Sequence, residues 1–160
     1  MFSSGHRVAD ALSVSDTQQI QPNGVDIRVA EIQSITGIGE ISTDGKKIAD
    51  RAEVEPVSRQ GTQFYDLTPG EYIVVYEETV RIPEDSIGFV FPRSSLIRNG
   101  VMLYTAVWDA GYEGKGEGLL KVNSRIRIEP ESRIGQLVLA NAETEELYDG
   151  SYQGERLETE

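Results

Sequence analysis

After "QPNG" (residues 21–24) the chain breaks into short apolar–polar alternations, each closed by a turn signal within roughly 8–12 residues. In "VDIRVAEI", Val25, Ile27 and Val29 fall on one side and Asp26, Arg28 and Ala30 on the other, the period of a strand. Gly37, Gly39 and the pair Asp44-Gly45 mark a hairpin. "YDLTPGEYIVVYEETVRIPEDSIGFVFPRSS" reads as strand, Pro-Gly turn, strand, Pro-Glu-Asp turn, strand; "GLLKVNSRIRIEPESRIGQLVLANA" adds two or three more. This rhythm predicts an all-β barrel or sandwich. Helix is confined to two short places. "HRVADAL" (6–12) has helical spacing, and "SSLIRNG" (94–100) can start on a Ser94 or Ser95 cap and end at Asn99-Gly100. With 160 residues, no repeat and no linker, a single domain over 1–160 is expected. Residues 143–160 form a polar tail that orders only against something else, and Tyr148 and Tyr152 give it the means.

Composition narrows the chemistry. Hydrophobic residues are 38% and charged residues 26%, as in soluble globular chains. No apolar run approaches the ~20 residues of a membrane span, and "MFSSGHRVADALSVSD" lacks the pattern of a secretory leader. There is no cysteine and a single histidine, His6, read as a surface or packing residue. Disulfides, thiolate zinc sites and a cysteine nucleophile are excluded, and a histidine triad is disfavoured. What remains is carboxylate and hydroxyl chemistry in the cytoplasm, with Mg2+ as the hard cation of choice. The net charge of −12 disfavours nucleic acid and anionic membrane as partners. Four lysines stand against eleven arginines, and such an acidic, lysine-poor surface suits the high-salt cytoplasm of a halophilic archaeon.

Two passages carry candidate chemistry. At Arg93-Ser94-Ser95, a strand-to-helix junction combines a guanidinium, two hydroxyls and outward N–H groups, either as an anion cradle or as a plain serine cap beside an exposed arginine. Asp109 closes "MLYTAVWD" before Ala110-Gly111. It is either an ordinary turn aspartate or an ionised carboxylate able to activate a water against a metal-bound phosphate. Asp26 is solvent-facing or joins the water shell of Mg2+. Gln136, an amide in an apolar strand, is a core partner or a ligand contact. Gly114, Gly116 and Gly118 open no helix, which excludes a Rossmann or P-loop reading.

Order and spacing add a resemblance. "FPRSSL" and, about ten residues later, "TAVWDAGYEG" resemble the second and third motifs of the dUTPase family. "QPNGVDIRV" resembles the first motif in the dCTP deaminase branch of that superfamily, "RIGQLVL" the fourth, and "YDGSYQGE" the nucleotide-binding tail of the deaminase branch. Roughly residues 20–155 are covered, and the pattern is most similar to the archaeal-type dUTP diphosphatases. The resemblance implies a distorted β-barrel forming a homotrimer with active sites at subunit interfaces. It implies Mg2+-dependent hydrolysis of dUTP to dUMP and pyrophosphate, which limits uracil in DNA and supplies dUMP for thymidylate synthesis. Asp109 would activate the attacking water; Arg93, Ser94 and Ser95, with Arg98 and Arg133, would hold the triphosphate. Ala106, Val107, Trp108 and the rest of the hairpin to Tyr112 would read the pyrimidine through backbone, with Tyr112 against the deoxyribose. Gln136, Tyr148, Tyr152 and Gln153 would reach the phosphates, the tail closing over the site, and Asp26 would lie near the metal or support the site.

The chain departs from that pattern in four places. Ala106 replaces a usual glycine, Trp108 an aliphatic residue and Ser151 a common lysine, and the glycine-rich fifth motif is absent. The alternative is a dCTP deaminase or a bifunctional enzyme. Deamination needs a carboxylate near cytosine C4, a glutamate in the strand after the third motif. Here Leu119, Leu120 and Lys121 occupy that stretch and Glu117 is the nearest acid, although Ser94 and Arg98, used by deaminases, are retained. A noncatalytic nucleotide-binding module is a further alternative, against which Asp109 speaks.

Overall fold

The computed structural model describes residues 1–157. Six strands make the continuous path of an eight-stranded main sheet: β1 (Gly24–Ile35), β2 (Gly70–Tyr76), β3 (Ser86–Pro92), β4 (Val101–Tyr104), β5 (Glu117–Val122) and β6 (Arg133–Asn141), with the short strands Ile20–Gln21 and Arg51–Glu53 pairing onto β1. The six lie in the order β3-β6-β1-β2-β5-β4, each pair antiparallel. The two edge strands approach each other. Thr105 Oγ1 donates to the Val90 carbonyl at 3.0 Å, and Gly88 and Trp108 exchange backbone hydrogen bonds of 2.8 and 3.0 Å. The sheet is thereby nearly closed into a distorted barrel, and an all-β fold with two short helices is what the strand rhythm predicts.

The core follows the alternation. Val25, Ile27 and Val29 are fully buried, as are Val74, Tyr76, Leu120, Leu137 and Leu139. In β1 the phase then slips, so that Ile32 rather than residue 31 points inward, because a bulge between Val29 and Glu31 inserts one residue against β2. The 40–47 hairpin forms as its glycine suggests, with Ser42 paired to Gly45.

Both helices are shorter or differently capped than expected. The N-terminal helix α1 is Gly5–Ala9, capped by Ser4. A Cβ at Gly5 would run into the Gln21 carbonyl oxygen, so only glycine lets this helix lie on the β1 entry turn. In α2 (Ser94–Arg98) the N-cap is Arg93, extended at φ −67° and ψ 146°, with no side-chain cap bond. The sequence predicts a cap from Ser94 or Ser95, and neither supplies one; both are exposed inside the first turn. No helix among the described residues is long and apolar enough to cross a membrane.

The surplus of 27 acidic over 15 basic residues repels itself in dilute buffer. Mostly exposed ion pairs offset little of this. Raising KCl to molar levels is therefore expected to stabilise the chain by about 1 kcal/mol or more, a rise of about 3 °C in thermal midpoint. A midpoint that stays flat or falls would count against a surface adapted to salt.

Candidate active site

β4 leaves the ladder after Tyr104, because Thr105 turns to bond Val90, and residues 105–107 run free along the rim of the barrel. They border a cavity of about 490 Å³ lined by Tyr104–Asp109, Tyr112, Gly116–Leu119, Ile73, Tyr148, Tyr152 and Glu155. Ala106 and Val107 are exposed, and among the described residues their backbone N–H and C=O groups make no hydrogen bond. Free backbone donors and acceptors beside an apolar wall suit the edge of a planar heterocycle. Trp108 is buried, 5.9 Å from Tyr76 and 5.5 Å from Tyr112 between ring centroids. A Cβ at Gly116 would stand 2.7 Å from its Cζ2, so the glycine makes room for the indole. Asp109 is exposed at the mouth, and its carboxylate makes no hydrogen bond or ion pair among the described residues. The turn behind it rests on Gly111 at φ +83° and on Tyr112 N–H donating to the Asp109 carbonyl at 3.2 Å.

The other two acids of the cavity, Glu117 and Glu155, are committed; Glu155 accepts from the Tyr112 hydroxyl at 2.8 Å and from Arg156 at 2.9 Å. Glu117 accepts two hydrogen bonds from Arg51, at 2.7 and 2.8 Å, and one from Arg156 at 2.6 Å. Burial pushes this carboxyl up, but the two guanidiniums more than offset it and its pKa falls below the usual glutamate value. A carboxylate so held stays ionised and is a poor proton carrier. Of Leu119, Leu120 and Lys121, the stretch in which a deaminase reading looks for a glutamate, Leu119 lines the cavity and none is acidic. Arg51 and Arg156 had no signal in the sequence: they lie 66 and 39 residues from Glu117.

The tail folds over this same cavity. Tyr148 donates its N–H to the Ala110 carbonyl at 2.8 Å and sets its ring edge-on to Tyr112 at 5.8 Å. The Tyr112 hydroxyl donates to Glu155 at 2.8 Å, and burial, then this bond, raises its pKa. Tyr152 lines the cavity under Lys46, whose Nζ is 4.2 Å from the ring centroid. Gln153, expected at the phosphates, spends both ends of its amide on backbone, accepting from Glu113 N–H at 3.1 Å and donating to the Gly111 carbonyl at 3.0 Å.

Arg93, Ser94, Ser95, Arg98, Gln136 and Asp26 line no part of that cavity. They gather instead where β3 ends beside β6 and β1. Gln136 faces Asp26 on one side and Phe91 on the other. Asp26 is not solvent-facing: it is 2% exposed. Its Oδ2 lies 3.1 Å from Arg93 Nε and 3.5 Å from Arg133 Nη1, although neither N–H is aimed well enough to hydrogen-bond it. Burial raises its pKa, against the lowering pull of Arg93 and Arg133. The serine hydroxyls and Arg98 have no side-chain partner among the described residues. For a metal the fit is poor. Among the described residues no group of three His, Cys, Asp or Glu side chains is assembled, and a cation at Asp26 would meet two guanidiniums.

The model of the dCTP deaminase-like family matches residues 2–142. A curated protein of Halobacterium salinarum, named probable deoxyuridine 5'-triphosphate nucleotidohydrolase, is 50% identical over 99% of this chain and 98% of its own. The deoxyuridine 5'-triphosphate nucleotidohydrolase of Methanocaldococcus jannaschii is 38% identical over 87% of this chain and 90% of its own. Among solved structures, the 2'-deoxycytidine 5'-triphosphate deaminase of Agrobacterium tumefaciens superposes with a TM-score of 0.66 at 19% identity. That match covers 88% of this chain but 48% of the deaminase, so this chain spans about half the deaminase's length. A Staphylococcus bacteriophage 80alpha dUTPase gives 0.50 at 17% identity, covering 94% and 95%. These two likenesses speak to the barrel alone. The strand rhythm, the motif order and the family match over nearly the whole barrel converge: the chain belongs to the dCTP deaminase-like family.

Proposed function

We propose that this chain is a cytoplasmic dUTP diphosphatase that converts dUTP and water to dUMP and pyrophosphate. By doing so it limits uracil in DNA and provides dUMP for thymidylate synthesis. The observation that carries the reading is Asp109, an exposed carboxylate with no partner among the described residues, at the mouth of a cavity whose other two acids, Glu117 and Glu155, are ion-paired. Relatives bearing the deoxyuridine triphosphate nucleotidohydrolase name along almost the entire chain support it. In the reaction Asp109 takes a proton from water, the water oxygen bonds to the α-phosphorus, and the bridging P–O bond breaks to release pyrophosphate. The substrate is dUTP with Mg2+ on its phosphates; the ion supplies neutralisation of phosphate charge. The free backbone of Ala106 and Val107 reads the uracil edge, and Tyr112 lies beside the sugar. Arg93, Ser94, Ser95, Arg98 and Gln136 bind phosphate.

Among the described residues of one chain, the phosphate-binding group does not line the cavity that holds Asp109. We place the two in one site across neighbouring copies of a homotrimer, with Tyr148 and Tyr152 of the tail closing it. Phe91, Ile97, Tyr104 and Val107, each about half exposed, supply apolar surface for that assembly.

Separate incubations with dUTP and dCTP in Mg2+, assayed for pyrophosphate and ammonia, test the reaction. Pyrophosphate from dUTP and no ammonia from dCTP is the expected result. Ammonia from dCTP would make it a deaminase, and nucleotide binding with neither product would make it a binding module.

A further inference from the structure

We infer that Asp26 is a positioning residue, the buried counter-charge that holds Arg93 toward the nucleotide's phosphates, and that it is not a metal ligand. The inference rests on the reading of Arg93 as a phosphate contact. Its ground is the way Asp26 is held. The Asp26 carbonyl accepts from Gln19 Nε2 at 2.9 Å, and the same nitrogen donates to Glu78 at 2.7 Å. Glu78, fully buried, also accepts from Arg28 N–H at 2.9 Å and from Arg28 Nε at 2.7 Å. A closed network therefore fixes the β1 backbone from the Asp26 carbonyl to the Arg28 N–H, immediately after the Asp26 side chain, which is the rigidity a positioning group needs.

Among the described residues the carboxylate in turn faces two arginines, Arg93 and Arg133, and pairs with no second acid. Arg93 Nε lies 3.1 Å from it as an ion pair, and Arg93 Nη1 donates to the Arg133 carbonyl at 3.2 Å. Arg133 Nη1 donates to the Gln18 carbonyl at 2.6 Å. Arg93 is thus held from one side with Nη2 uncommitted, and about a third of its side chain is open. Two guanidiniums against one carboxylate leave one net positive charge beside Ser94 and Ser95. That suits an anion and repels a divalent cation.

The test is binding of α,β-imido-dUTP to the full-length wild type, Asp26→Asn, Arg93→Ala and the double variant, in Mg2+ and in EDTA. Asp26→Asn is expected to weaken binding about tenfold in both buffers. In the Arg93→Ala background it is expected to add less than about twofold, because it acts through that arginine. In turnover, KM should rise about tenfold with kcat changed less than about threefold. A loss seen only with Mg2+, or a full tenfold loss on top of Arg93→Ala, would overturn the inference and leave the proposed reaction standing. Failure of the wild type to bind the analogue would instead remove the proposed function itself. A Mn2+ titration of nucleotide-free wild type, followed by electron paramagnetic resonance, needs no variant. Binding weaker than about 1 mM is expected, and a tight site would overturn the inference.

Discussion

Asp109→Asn is expected to lose turnover by about two to four orders of magnitude while keeping nucleotide affinity within about tenfold. The loss should lie in chemistry because the side chain does nothing else visible. It is exposed, and no hydrogen bond or ion pair among the described residues depends on it. The turn it belongs to is held by backbone, from Tyr112 N–H to its own carbonyl and from Gly111 N–H to Ile82. Asparagine has the same shape, so stability should change by no more than about 0.5 kcal/mol. Full activity of the variant would remove Asp109 from the mechanism. A large fall in affinity with kcat preserved would make it a binding group instead.

Local features of the fold were legible in the sequence. Strands were announced by alternation and turns by Asp44-Gly45 and the Pro-Gly and Pro-Glu-Asp signals, because a strand's period is written in consecutive residues. What sequence could not supply was the partner. Asp26 sits on the polar phase of its strand, yet it is buried, because Arg93 at the α2 cap and Arg133 at the start of β6 arrive from far along the chain. Glu117 was the nearest acid for a deaminase reading until Arg51 and Arg156 closed on it. The serines of α2 read as caps because cap preference is a local statistic. The strand leading into Arg93 enters extended, so Arg93 itself takes the cap position. The tail's tyrosines signalled packing, and the surface they chose, the cavity rim at Ala110–Tyr112, is a tertiary fact.

The division of the site has the second large consequence. If Arg93 of one copy and Asp109 of a neighbour serve the same nucleotide, two inactive variants should rescue each other. Arg93→Ala loses the phosphate anchor but keeps Asp109, and Asp109→Asn has the reverse defect. In randomly mixed oligomers a site is intact when the copy giving Arg93 is one variant and the copy giving Asp109 is the other. That happens at about one site in four. The central claim, that carboxylate and arginine meet between copies to hydrolyse dUTP, is therefore tested by co-expressing the two variants and measuring pyrophosphate release from dUTP. Recovery to about a quarter of the wild-type rate, from two parents that are each nearly dead, is the result predicted. A mixture no more active than its parents, in oligomers verified to contain both variants, would contradict it.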